Sequence, residues 1–159
     1  MGTKSVDLVK GNKEEIVSEL NKAYCDEWLA YFQYISLATI ANGRGSFQFA
    51  DAVKEIAEEE LEHADELAER ILELGGQPIV MWDEVNRQAN CKYPNTLPDA
   101  NDLTAMAELI KEDERCAIGV YVKLMELTKD KDFRTYNLMM HILEEEVVHE
   151  NKMMQFLGE

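Results

Sequence analysis

The chain has 159 residues, 46% of them apolar, which is enough for one domain with a sizeable core and too many for a disordered acidic tail. Its 32 acids outweigh 16 Lys and Arg to give a net charge of −16, a surface that repels nucleic acid and anionic membranes and attracts cations. No apolar run approaches the roughly 20 residues of a membrane span, the start has no secretory-type stretch, and three scattered cysteines make no disulfide framework, so a cytoplasmic protein is expected.

Residues 1–12 read as an N-terminal tail of a single domain spanning 1–159. Asn12 followed by Glu15 has the spacing of a capping box. It opens a helix whose apolar pattern runs to Ala41 and closes at Asn42-Gly43. Ser46 is expected to cap a second helix, which runs to Leu74 and stops at Gly75-Gly76. Residues 75–102 hold all three prolines, Pro78, Pro94 and Pro98, and form a long connection with a short helical turn near Trp82–Ala89. Asp102 opens a third helix that ends near Lys129. Asp132 caps a fourth that ends near Leu157. The fold class is therefore all-α, a four-helix bundle. Short loops join antiparallel neighbours, and the long crossover lets helices two and three run parallel.

Each helix carries a stripe of 3–4 spacing. Helix one gives Ile16, Leu20, Ala23, Glu27, Ala30, Tyr34, Leu37 and Ala41. Helix two gives Phe49, Val53, Ile56, Glu60, His63, Leu67, Ile71 and Leu74. Helix three gives Leu103, Ala107, Ile110, Glu114, Ala117, Tyr121, Leu124 and Thr128. Helix four gives Thr135, Met139, Ile142, Glu146, His149, Met153 and Phe156. The charged interruptions fall near the middle of every helix. Two of them are Glu-x-x-His motifs, Glu60–His63 and Glu146–His149, and i and i+3 share a helix face. Glu27 precedes Glu60 by 33 positions, and Glu114 precedes Glu146 by 32. The halves repeat: helix one maps onto helix three at an offset of 87, and helix two onto helix four at 86.

Four carboxylates converging in one buried layer are too costly to leave charged and unpaired. Two divalent cations would balance them. A Glu from each of two helices plus Glu-x-x-His from each of the other two is the ligand set of a carboxylate two-metal site in a bundle. Carboxylate oxygens with imidazole suit Fe or Mn. Tyr34 and Tyr121 flank the site by spacing, placed either to hydrogen-bond a ligand or a carboxylate or to pack as core aromatics. His141 falls off the seam, at the surface or an interface. Cys25 also lies off the seam and reads as a packing residue.

Glu27-Trp-Leu-Ala-Tyr-Phe-Gln-Tyr34 and Glu60-Leu-Glu-His63-Ala-Asp65 resemble the two ligand helices of bacterioferritin, within the ferritin superfamily. The resemblance covers about residues 13–157. Leu61 stands where bacterioferritin has its haem-binding methionine, so no haem is expected. Too few residues follow His149 for the fifth helix of the larger cage. Cys91 and Cys116, together with the ligands and the short chain, resemble the Dps-like thioferritins.

That resemblance implies a ferritin-like bundle in a homo-oligomer of twelve subunits. It implies two iron ions per subunit (Mn being the other candidate) and a redox pair at Cys91 and Cys116. It also implies protection against oxidative stress, through oxidation of Fe(II) by hydrogen peroxide or dioxygen and storage of the ferric mineral. Glu60 and Glu146 are then expected to bridge the metals, with Glu27 and His63 completing one and Glu114 and His149 the other. The tail offers only Lys4, Lys10 and Lys13 among acids, so no nucleic-acid or membrane partner is expected. Other readings are a two-metal peroxidase or catalase without storage, a scaffold stapled by metal, and a bundle without metal.

Overall fold

The computed structural model describes residues 9–159, and Lys4 of the tail lies outside the described residues. Among the described residues five helices form: α1 (Lys13–Ile40), α2 (Ser46–Glu73), α3 (Trp82–Gln88), α4 (Leu103–Thr128) and α5 (Phe133–Leu157). Three of the expected caps are made. Asn12 accepts from the Glu15 amide at 3.3 Å, Asp102 from Ala105 at 2.9 Å and Asp132 from Thr135 at 3.2 Å, each satisfying an otherwise orphaned first-turn donor.

The start of α2 corrects the expectation for Ser46. The cap position is Gly45, and Ser46 is the first helical residue, with no side-chain cap. The turn between α1 and α2 needs positive φ at Gly43 (+93°) and Gly45 (+88°), so glycine occupies the place a capping side chain would take. At the other end of α2, Gly76 is fixed by space: a Cβ there would stand 2.5 Å from Val17 Cγ1.

Helix directions follow from contacts across the bundle. Tyr34 of α1 bonds Glu114 of α4, while Tyr121 of α4 bonds Glu27 of α1, so α1 and α4 are antiparallel. The short Ala41–Gly45 turn makes α2 antiparallel to α1, and therefore parallel to α4. The crossover runs back along α1 and is tied to it at two places. Asn21 accepts from the Ile79 amide at 2.9 Å and donates to the Gln77 carbonyl at 3.2 Å. Asp26 accepts from the Cys91 amide at 2.9 Å and from Asn90 at 2.7 Å. Cys91 is also disulfide-bonded to Cys116 of α4.

The core is two apolar bodies with a polar layer between them. One is built around Ile16, Leu20, Leu67, Ile71, Leu124 and Met139, the other around Leu37, Phe49, Val53, Ile56, Met106 and Ile110. The α2 stripe is buried throughout. Phe156 is the exception at the end of the α5 stripe: it is 42% exposed, in the last turn of α5, where it meets Phe49 with ring centroids 5.1 Å apart. Cys25 is fully buried, as a packing residue should be.

A second buried polar group was not foreseen. Arg70, near the end of α2, donates to both oxygens of Asp132 at 2.9 and 2.7 Å, to Thr135 at 2.8 Å and to Glu73 at 2.9 Å. Arg70, Asp132 and Thr135 are all buried. The capping residue of α5 is thus also the counter-ion of α2.

Candidate metal centre

The layer between the two apolar bodies is made by Glu27 of α1, Glu60 and His63 of α2, Glu114 of α4, and Glu146 and His149 of α5. Each is at most 2% exposed. They form two overlapping groups whose ligand atoms lie within 4.8 Å of one another: Glu27, Glu60, His63 and Glu146; and Glu60, Glu114, Glu146 and His149. Glu60 and Glu146 belong to both. The helical 3–4 spacing brings every one of the six sequence-selected residues into this layer.

The imidazoles are oriented from behind. His63 Nε2 lies 2.8 Å from Glu145, and His149 Nε2 is hydrogen-bonded to Glu59. A carboxylate only accepts, so each Nε2 carries the hydrogen and each Nδ1 faces the layer. His63 Nδ1 stands 3.3 Å from Glu60, 3.3 Å from Glu146 and 3.7 Å from Glu27. His149 Nδ1 stands 3.1 Å from Glu60, 3.5 Å from Glu114 and 3.8 Å from Glu146. This carboxylate–histidine pairing is the usual way a ligand imidazole is fixed.

The two tyrosines also act crosswise. Tyr34 reaches in from one apolar body to donate to Glu114 at 2.7 Å, and Tyr121 reaches in from the other to donate to Glu27. Both are core aromatics and both bond a carboxylate of the layer, so the two alternatives for these residues are met together.

The electrostatics show what the layer lacks. Burial first, then the charges of Glu114 and Glu27, pushes Glu60 up to about 8. Burial and Glu146 push Glu114 well above the usual carboxylate range. Burial alone would favour neutral imidazoles, yet Glu146, Glu27 and Glu60 around His63, and Glu114, Glu146 and Glu60 around His149, hold both rings far above the ordinary histidine value. Glu27 goes the other way: burial raises it, but His63, Glu60 and Tyr121 together outweigh that and leave it lowered. The layer therefore demands positive charge, which protons or cations can supply. Glu60 Oε1, both Glu146 oxygens and His149 Nδ1 are buried without a hydrogen-bond partner, so four donor atoms are available to a cation. The residues present fit a two-metal site.

Between the layer and the crossover lies a small cavity of about 10 Å³, room for about one water, bounded by Asp26, Tyr93, Cys91 and Asp113 on the crossover side. Burial pushes Asp26 and Asp113 up to about 7. Asp113 accepts from Gln33.

Sequence reasoning missed Glu59, Glu145, Asp26 and Asp113. The signal was present in the repeat. Each half carries Asp-Glu on its first helix (26–27 and 113–114) and Glu-Glu before x-x-His on its second (59–60 and 145–146). Glu59 and Glu145 bond histidines on the opposite helix, Asp113 bonds Gln33 of α1 and Asp26 bonds the crossover, none of which a single-helix spacing reveals. The structure places His141 on the surface, its side chain 51% exposed.

A ferritin-like domain family matches residues 17–159. A protein of Pyrococcus furiosus named "DNA protection during starvation protein" is 36% identical over 141 residues, covering 86% of this chain and 74% of that one. The bacterioferritin of Desulfovibrio desulfuricans is 28% identical over 144 residues, covering 87% and 74%. Among solved structures, a dodecameric thioferritin of Bacteroides fragilis, described as bacterioferritin-related, superposes with a TM-score of 0.92 at 32% identity over 99% of this chain and 94% of that one. With five helices in this connectivity and these relatives, the chain belongs to the ferritin-like family, in its Dps-like branch.

Proposed function

We propose that this protein takes up Fe(II) as its substrate, oxidises it in the buried layer and stores the ferric product inside a hollow homo-oligomeric shell. The observation that carries this reading is the pair of overlapping ligand groups sharing Glu60 and Glu146. Two cations can sit there with those two carboxylates between them. Glu27 and His63 complete one position, and Glu114 and His149 the other. Two divalent charges match four carboxylates, so filling the layer neutralises it and displaces its protons.

Two Fe(II) give up two electrons. Hydrogen peroxide accepts both, with two protons, and leaves as two waters; dioxygen is the other candidate oxidant. The protein's part is to hold both ions at a fixed separation and keep water scarce. Glu59 and Glu145 hold the imidazoles in place, and Tyr34 and Tyr121 hold Glu114 and Glu27. Mn(II) fits the same donors. Cys91, which lines the inner cavity, and Cys116 are read as a redox pair that ties the crossover to α4.

A twelve-subunit shell is the assembly this reading favours, as in the Bacteroides fragilis protein. Phe32 (60% exposed) and Trp82 (51%) meet edge to face at 5.7 Å and supply an apolar face suited to contact between copies. The charge of −16 steers Fe(II) toward the shell and opposes DNA, so no mobility shift of DNA is expected at about 150 mM salt. Leu61 leaves no methionine for haem, and no absorbance of bound haem should appear on incubation with it. The functional test is anaerobic addition of Fe(II), followed by peroxide or dioxygen, with oxidation rate and particle mass followed together. Uptake of many irons per subunit supports storage. Uptake that stops at about two per subunit would indicate a two-metal peroxidase or catalase instead.

A further inference from the structure

The crossover borders the small cavity beside the layer and also a second, outer cavity, a groove of about 300 Å³. Leu29, Phe32 and Gln33 of α1 line the groove together with Trp82, Tyr93 and Leu97 of the crossover. Tyr93 lines both cavities. Gln33 lines the groove and donates to Asp113, which lines the inner cavity. In a chain with 30% charged residues, none of the described residues lining the groove carries a charge.

We propose that this groove is the entry for the oxidant, that Gln33 and Tyr93 form its gate, and that cations reach the layer by another way. The gate passes small uncharged molecules that carry an O–H group, hydrogen peroxide being the candidate oxidant of that kind. Three observations carry it. Gln33 is 3% exposed, yet its Oε1 is a buried acceptor with no partner. Leaving such an atom unpaired is costly, and an O–H donor in the groove satisfies it. The bundle does not demand a polar residue there: at the offset of 87 Gln33 maps onto Val120, which packs against the apolar core. An uncharged wall, finally, takes up a neutral molecule more readily than a cation, which would shed its water without gaining a counter-charge.

The gate is built to move. The Tyr93 hydroxyl donates to the Asp26 carbonyl oxygen at 3.3 Å, longer than an ordinary O–H···O bond. The backbone that carries it is held more firmly, through the Cys91 amide and the Asn90 side chain on the Asp26 carboxylate at 2.9 and 2.7 Å. The ring of Tyr93 therefore has more freedom than the strap it stands on. The crossover has no counterpart in the repeat, so the passage exists on one side of the layer alone. Cations are left to the acidic surface, where the charge of −16 draws them.

The gate rests on the proposed function, and the experiment separates the two. The assembled full chain is loaded anaerobically with Fe(II) and mixed with hydrogen peroxide or with tert-butyl hydroperoxide, which takes the same two electrons and two protons and leaves as tert-butanol and water. In wild type the bulky oxidant is expected to be slower by at least about 100-fold, beyond any difference seen with free Fe(II). Tyr93→Ala is expected to shrink that ratio at least about 10-fold, and Gln33→Leu to slow hydrogen peroxide by about 10-fold. The rate of Co(II) uptake, followed by visible absorption, is expected to be unchanged in both, and uptake of about two Co(II) per subunit shows that the variants fold. Asn90→Ala loosens the same strap without widening the gate and is expected to keep the wild-type ratio. Equal rates for the two oxidants in wild type, or an unchanged ratio in Tyr93→Ala, overturn the gate and leave the proposed function standing; this is the result if a copy seated on Phe32 and Trp82 plugs the groove. A ratio that falls as far in Asn90→Ala, or Co(II) uptake that slows along with peroxide, also overturns it. Wild type that oxidises Fe(II) with neither oxidant counts against the proposed function and overturns the gate with it.

Discussion

Among the places where the bundle buries charge, two are built in opposite ways. At one end, Arg70 meets Asp132, Thr135 and Glu73, and every charge has its counter-ion in the chain. In the middle, four glutamates share two histidines, and donor atoms of Glu60, Glu146 and His149 are left without partners. The first arrangement is complete within the folded chain and needs nothing from outside. The second is incomplete in a defined way, short of positive charge, and that shortage is what the proposed cations would fill. Burial alone separates the two poorly, since both are nearly inaccessible; partner satisfaction separates them well.

The contrast can be broken most strongly at the complete site. Asp132→Ala leaves a buried guanidinium without its main partner and also removes the cap of α5, so a loss of about 3–5 kcal/mol is expected in denaturant unfolding. A loss under about 1 kcal/mol would mean that the pair is not fully desolvated.

At the incomplete site, changes should act on metal first. Glu145→Gln keeps the shape but weakens the acceptor behind His63. Metal affinity at the layer is expected to fall by roughly 10- to 100-fold by calorimetry, with the unfolding curve little changed. Unchanged affinity would show that His63 is oriented without Glu145.

Glu60→Gln removes one of four crowded acids. The metal-free variant is expected to be more stable than metal-free wild type by about 1–2 kcal/mol, the reverse of what the same kind of change does to Arg70 or Asp132. Destabilisation would mean that the layer is a stabilising network rather than a strained one.

The two sites should also respond to pH with opposite sign. Asp132 is held below the ordinary range: burial raises it, but Thr135 and Arg70 outweigh that. Its contribution is present above the unfolded value of about 3.9 and is lost as pH falls through the lower folded value. In the layer, Glu60 (about 8), Glu114, His63 and His149 are all raised. The folded state then holds more protons than the unfolded one, and the stability of metal-free protein should decline as pH rises from about 5 to about 8. Saturating Mn(II) should cancel the decline. Stability that rises over this range without metal would contradict the reading of the layer.

The sequence made the fold legible because the seams are long and regular, and capping aspartates and paired glycines mark their ends. Ser46 misled because turn geometry, which demands a left-handed residue at Gly45, outranks capping preference. Phe156 misled because a helical stripe says nothing about where its neighbours stop. The six layer residues were legible because all lie on the seams. Arg70 was not: it sits one position before Ile71 on the stripe and looks like an ordinary exposed base, and only the packing of α2 against the start of α5 buries it. Glu59 and Glu145 were hidden for a similar reason, since each serves a histidine on the opposite helix.

The central claim is that the layer holds two cations between Glu60 and Glu146 and oxidises them. Stopped-flow mixing of anaerobically Fe(II)-loaded protein with hydrogen peroxide tests it most directly, with Fe(II) varied per subunit and Glu60→Gln run alongside. A fast oxidation phase that saturates at about two Fe(II) per subunit, and is slowed at least about 100-fold in Glu60→Gln, is the predicted result. A fast phase that fails to saturate near two, or that survives intact in Glu60→Gln, would contradict it.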